Sequence, residues 1–196
     1  MRRSLVLRRV CVCALFSALM CALSPITIPI GPIPLSLSIL TVLFASAMLG
    51  PWSGVLTVAV YLALGAVGLP VFGGGMSGFG VLIGPTGGFL WSYLPMCVIG
   101  GYLYRFVFWR TGEKTKRAVT RIILGGVAAL PALMICYLFG TVQYMLVANV
   151  SLTSAIAVCV LPFLAFDLCK LIFVALLSDR LLSIGAVRRM LTELFA

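Results

Sequence analysis

Two ionisable side chains stand in a stretch that otherwise excludes charge. Asp167 and Lys170 lie three residues apart inside the apolar run VCVLPFLAFDLCKLIFVALL, and at that spacing they share one face of a helix. Placing either charge at the centre of a membrane helix costs about 2.5–3.5 kcal/mol on insertion scales. The pair is therefore expected to face a bundle interior or a cavity. There a carboxylate and an ammonium present an acceptor and a donor to a polar ligand, the default reading of intramembrane ionisable groups. The structural alternative is that the two neutralise each other, or bond to neighbouring backbone, and lock the helix.

Other chemistries lack their residues. The chain has no His, which removes His-based proton transfer and a Ser/His triad. The seven cysteines, Cys11, Cys13, Cys21, Cys97, Cys136, Cys159 and Cys169, all fall in apolar stretches without a CxxC pair. They read as small, reduced, buried hydrophobes, and no metal site or cofactor is expected. Asp167 alone is a thin catalytic set for an intramembrane protease or transferase, so no catalytic residue is assigned. Gly112-Glu113-Lys114-Thr115 is only a fragment of a Walker sequence and follows no strand, so any ATP hydrolysis would belong to a separate subunit.

The elements that must position the pair follow from composition. With 63% hydrophobic and 9% charged residues among 196, and a net charge of +10, the chain has too little polar surface for a soluble globule. Hydrocarbon is its main solvent. The basic residues sit in short clusters between apolar runs, the pattern of membrane topology and not of a nucleic-acid surface. The 95 residues from Val10 to Tyr104 contain no Asp, Glu, Lys or Arg, far beyond one crossing of about 20 residues. Pro and Gly clusters at Ser24 to Pro34, Gly50-Pro51 and Gly68 to Pro85 divide them. The expectation is one all-α membrane domain over 1–196, with six transmembrane helices near 10–23, 35–49, 52–67, 86–108, 119–147 and 152–180.

The first stretch after Arg8-Arg9 reads as a retained signal-anchor helix, because another apolar run follows it and not a soluble domain. Arg105 to Arg121 carries six basic residues and Glu113 and reads as a cytoplasmic loop; Asn149-Val-Ser suggests the last turn. Thirteen of the 14 basic residues then fall on one side. The positive-inside rule makes that side cytoplasmic, with both termini inside and 185–196 as a short interfacial tail.

Two further features invite function. The external connector Gly68 to Leu90, between helices 3 and 4, holds nine glycines and two prolines in 23 uncharged residues. Gly73, Gly74, Gly75 and Gly78 make it a candidate gating or ligand-lining loop. Ala14, Ala18 and Ala22 recur every fourth residue in the first helix, a spacing that permits close helix contact, within the chain or with a partner.

Two segments resemble one family. YLALGAVGLPVFGGGMSGFGVLIGPTGGF (Tyr61 to Phe89) and LPFLAFDLCK (Leu161 to Lys170) are similar to elements of BioY, the biotin-capturing S subunits of energy-coupling factor (ECF) vitamin transporters. The chain departs from the family pattern at Ala165-Phe166, where Pro-Gly is common, and at Ser36-Leu37-Ser38, where Thr-x-Gln is common. The resemblance implies high-affinity biotin binding in a bacterial cytoplasmic membrane, without catalysis, beside a T subunit and two ATPases. It implies that Asp167 meets the ureido N–H groups and that Lys170 donates to the ureido carbonyl or compensates Asp167. Phe79, Tyr93 and Tyr144 would supply apolar walls, Gln143, Thr86 and Gly87 further contacts, and the alanine ridge a surface for the T subunit. The alternatives are an S subunit for another vitamin such as thiamine or riboflavin, a solitary biotin transporter, and a structural or sensory membrane subunit.

Overall fold

The computed structural model describes residues 2–30, 33–109 and 118–195. Its helices are α1 (Arg2–Leu23), α2 (Ser38–Ala66), α3 (Phe79–Ile83), α4 (Gly87–Tyr104), α5 (Ala118–Ala148), α6 (Leu152–Cys159), α7 (Leu161–Ser183) and α8 (Gly185–Phe195). Among the described residues the one sheet is a short antiparallel hairpin of β1 (Thr27–Ile28) and β2 (Leu35–Ser36), with Thr27 opposite Ser36. The chain is an all-helical membrane protein: α1, α2, α5 and α7 each hold a stretch long and apolar enough to span a bilayer. Residues 110–117 of the expected loop 105–121, with Glu113, lie outside the described residues, as do Gly31 and Pro32.

α2 runs for 29 residues yet is two arms. Gly50 takes φ 77° and ψ −175°, a conformation open to glycine and strained for other residues. Pro51, which needs no amide partner in a first turn, starts the second arm. A straight helix would hold Ser46 and Gly54 about 12 Å apart. Instead a Cβ added to Gly54 would stand 3.5 Å from the Ser46 Cα, so the chain folds back on itself at the Gly50-Pro51 break. α1 runs beside the second arm in the same direction: Cys13 Sγ lies 3.9 Å from the Ser53 carbonyl, and Ser17 Oγ donates to the Thr57 carbonyl at 2.9 Å. Hydroxyls on main-chain oxygens at such contacts let helices approach closely within hydrocarbon.

α4 packs between α2 and α5, and α7 against α5 and α2. α5 ends at Asn149, whose φ of 52° is a left-handed cap that Asn tolerates. The expected helix over 152–180 is divided at Val160, φ −120° and ψ −55°, where Pro162 in the following turn cannot donate to the ladder. The break gives α6 and α7 separate axes. Four cysteines are buried and Cys21 is half-buried, but Cys11 and Cys169 face outward. That differs from the burial expected of all seven, since in a membrane an apolar thiol is equally at home against lipid.

Two arginines expected only to mark topology also hold the fold. Arg121 bonds Asp179 through both nitrogen–oxygen contacts, Nε to Oδ1 at 2.6 Å and Nη2 to Oδ2 at 3.3 Å, joining the start of α5 to the end of α7. Asp179 is thus a second buried acid of α7, 5% exposed. Arg105 donates to the Phe195 carbonyl, drawing the end of α8 against the end of α4. α8 buries Leu191 and Leu194 against the bundle.

Candidate functional site

Opposite the arginine end, the hairpin and the glycine-rich connector form a cap. The connector is pinned: Phe72 is fully buried, stacks edge-on against Tyr61 with centroids 5.7 Å apart, and lies over Gly65. The following turn, Gly73–Gly75, rests on the hairpin, with the Gly73 Cβ position 3.5 Å from Thr27 Cγ2. Gly74, Gly75 and Gly78 all take left-handed φ angles, which explains their residue type without a ligand. Gly73 lines the cavity below, whereas Gly74 and Gly75 are exposed.

The cavity lies between this cap and α7. Apolar walls come from Ile33 of the hairpin, Ile39 of α2, Phe72 and Met76 of the cap, Phe89 of α4 and Phe163 of α7. Thr86, Tyr93, Ser36 and Ser38 add polar groups, and Asp167, Lys170 and Tyr137 complete the lining. Its volume is about 60 Å³, small beside the ~300–1,000 Å³ of ligand pockets. Admitting more than a few heavy atoms requires the cap and walls to move apart.

Asp167 and Lys170 meet as their spacing required. Lys170 Nζ donates to Asp167 Oδ1 at 2.7 Å and to the Ser36 carbonyl of β2 at 2.8 Å. Tyr137, from α5, donates its hydroxyl to Asp167 Oδ2 at 2.8 Å. Asp167 is 0% and Lys170 7% exposed, so both charges are inside the bundle. Each charge is balanced by the other and by a neutral partner, the condition under which a buried pair survives in low dielectric. They are the one cation and one anion among the described lining residues.

Other expected contacts go elsewhere. Phe79 is 61% exposed and outside the lining. Tyr144 is buried in a neighbouring cluster with Ile33, Leu35 and Phe163. Gln143 donates to the carbonyls of Leu82 (3.0 Å) and Gly84 (2.8 Å), tying α5 to the turn before α4. Gly87 is a packing residue: a Cβ there would stand 1.9 Å from the Leu82 oxygen and 2.5 Å from Gln143 Nε2. A Cβ on Gly88 would lie 2.3 Å from the Phe139 oxygen. The GPTGG segment therefore brings α4 onto α5 at backbone distance. Tyr137 was missed by the sequence reading; a tyrosine in an apolar helix carries no positional signal of its partner 30 residues on.

The chain is thus a membrane-type helical bundle in which one buried ion pair lines a cavity beneath a pinned, glycine-rich cap. The chain belongs to the BioY family, whose sequence pattern matches residues 1–186. The biotin transporter BioY of Rhodobacter capsulatus is 35% identical over 182 residues, covering 87% of this chain and 91% of the relative. That of Thermotoga maritima is 36% identical over 175 residues, covering 89% and 96%. A crystal structure described as the S-component for biotin from an ECF-type ABC transporter matches with TM-score 0.81 at 24% identity, over 94% of this chain and 96% of the other. That likeness concerns the fold.

Proposed function

We propose that this chain captures biotin at the external face of a cytoplasmic membrane, as the binding subunit of an ECF-type transporter. The observation that carries the reading is the Asp167–Lys170 pair at the wall of the capped cavity. An ionised acceptor and an ionised donor side by side suit a ureido ring, which offers two N–H groups and one carbonyl. Asp167 takes the N–H side and Lys170 the carbonyl; Phe89, Phe163, Tyr93 and Met76 face the apolar remainder. The BioY relatives, named as biotin transporters, support the ligand class. The cavity's contracted volume fits a cap that opens to load.

In this reading the two arms of α2 are separate crossings, which with α1, α4, α5 and the α6–α7 unit makes six. The capped end is external, and the end gathering Arg105, Arg121 and α8 is cytoplasmic with both termini. Ala14, Ala18 and Ala22 are exposed on α1 and form the contact for a T subunit, which with two ATPases supplies the energy. Radiolabelled biotin should bind the purified chain saturably, one per chain, and unlabelled thiamine or riboflavin should not compete. Absence of biotin binding to folded protein would sink the reading. Ala14→Trp and Ala18→Trp should abolish uptake while leaving biotin binding intact; uptake at the parental rate would remove the alanine ridge from the partner contact.

A further inference from the structure

The hydrogen-bonding capacity of the polar wall is not filled by Asp167 and Lys170 alone. Lys170 has three donors and uses two of them, on Asp167 Oδ1 and the Ser36 carbonyl. One donor remains. Asp167 accepts on both oxygens, from Lys170 at Oδ1 and from Tyr137 at Oδ2, and a carboxylate oxygen can take a second bond. Tyr137 has spent its single O–H on Asp167, so toward the cavity it lines its oxygen can act only as an acceptor.

Beside the hydroxyls of Ser36, Ser38, Thr86 and Tyr93, the linked group of Asp167, Lys170 and Tyr137 therefore offers one free donor, on Lys170, and acceptors on two residues that lie on different helices. A cyclic urea needs one donor for its carbonyl and two acceptors whose directions diverge, because its N–H bonds point to opposite sides of the carbonyl axis. One carboxylate, with both oxygens already engaged, is poorly placed to meet both. We propose that Tyr137 is a ligand-contacting specificity residue: its hydroxyl oxygen accepts one ureido N–H while Asp167 accepts the other. The same hydroxyl, by donating to Oδ2, fixes the rotation of the Asp167 carboxylate. This rests on the biotin reading above and divides between two residues what that reading gave to Asp167.

The test uses the full chain in lipid nanodiscs, biotin, and two cyclic carbamate analogues in which one or the other ring N–H is replaced by oxygen. In the parent, each analogue loses one hydrogen bond and should bind at least tenfold more weakly than biotin. Tyr137→Phe should weaken biotin by about tenfold or more. It should also discriminate against only one of the analogues, because the N–H that faced Tyr137 no longer has a partner to lose. Such non-additivity marks a direct contact, whereas a purely structural tyrosine would weaken all three ligands alike. Uniform weakening, or unchanged biotin affinity, overturns the assignment. Should the variant fail to fold, the parent still decides: if either carbamate binds as tightly as biotin, one N–H has no acceptor and the proposal falls. If the parent does not bind biotin at all, it is the functional reading itself that has failed.

Discussion

At the scale of single residues, the pair in α7 must be separated from the bonds that keep it buried. Removing one partner leaves an uncompensated charge, a loss of about 3–5 kcal/mol, whereas replacing both by neutral groups is often close to neutral. Lys170→Met should therefore lower the thermal midpoint of the ligand-free protein strongly, since Asp167 keeps only Tyr137. Asp167→Asn combined with Lys170→Met should recover most of that loss, as read by unfolding in detergent. A double variant as unstable as the single one would show that the pair contributes attraction well beyond mutual neutralisation. These two positions were legible in the sequence because charge in an apolar run carries a large penalty that demands an explanation. Tyr137 was not, because its role exists only once α5 is laid against α7. Phe79 and Tyr144 were expected as walls on residue type alone, and type does not tell which face of an element a ring occupies.

At the scale of elements, glycines mark where backbones meet and where they turn. Gly88→Ala puts a Cβ 2.3 Å from the Phe139 oxygen, and α4 must move away from α5 to accommodate it. The expected cost is about 1–3 kcal/mol, seen as a lower unfolding midpoint together with weaker ligand binding, because Thr86 and Phe89 ride on the same turn. A fully stable variant would mean that the α4–α5 approach is looser than this geometry. Gln143→Leu should loosen the same junction by removing the two bonds that tie α5 to it, at about 0.5–1.5 kcal/mol per bond, because the Leu82 carbonyl keeps the Trp91 indole N–H and the Gly84 carbonyl keeps the Gly87 N–H. The Gly50-Pro51 break was readable before the structure, since that dipeptide cannot continue a helix easily. Breakers show that a chain stops or bends; they do not show which surface the next element covers. That is why Gly87 and Gln143 read as ligand contacts and turn out to join helices.

At the scale of the whole molecule, charge distributes into three roles. One pair lines the cavity, most of the described basic residues lie toward the opposite end, and Arg121 and Arg105 additionally tie α5 to α7 and α4 to α8. The number and spacing of uncharged runs made the all-helical membrane fold visible, while the ties stayed hidden because a basic residue beside a helix end is already accounted for by topology. Reporter fusions test the proposed orientation: tags at either terminus should report cytoplasm, and a tag after Asn149 the external side. A terminus on the external face would invert the account.

The central claim is that Asp167 and Lys170 hold biotin, and equilibrium binding of radiolabelled biotin to the parent chain and to the Asp167→Asn, Lys170→Met double variant tests it most directly. The double variant is the right comparison because it is expected to stay folded. A loss of affinity of at least a hundredfold with the fold retained is the expected result. Parental affinity in the folded double variant would contradict the account.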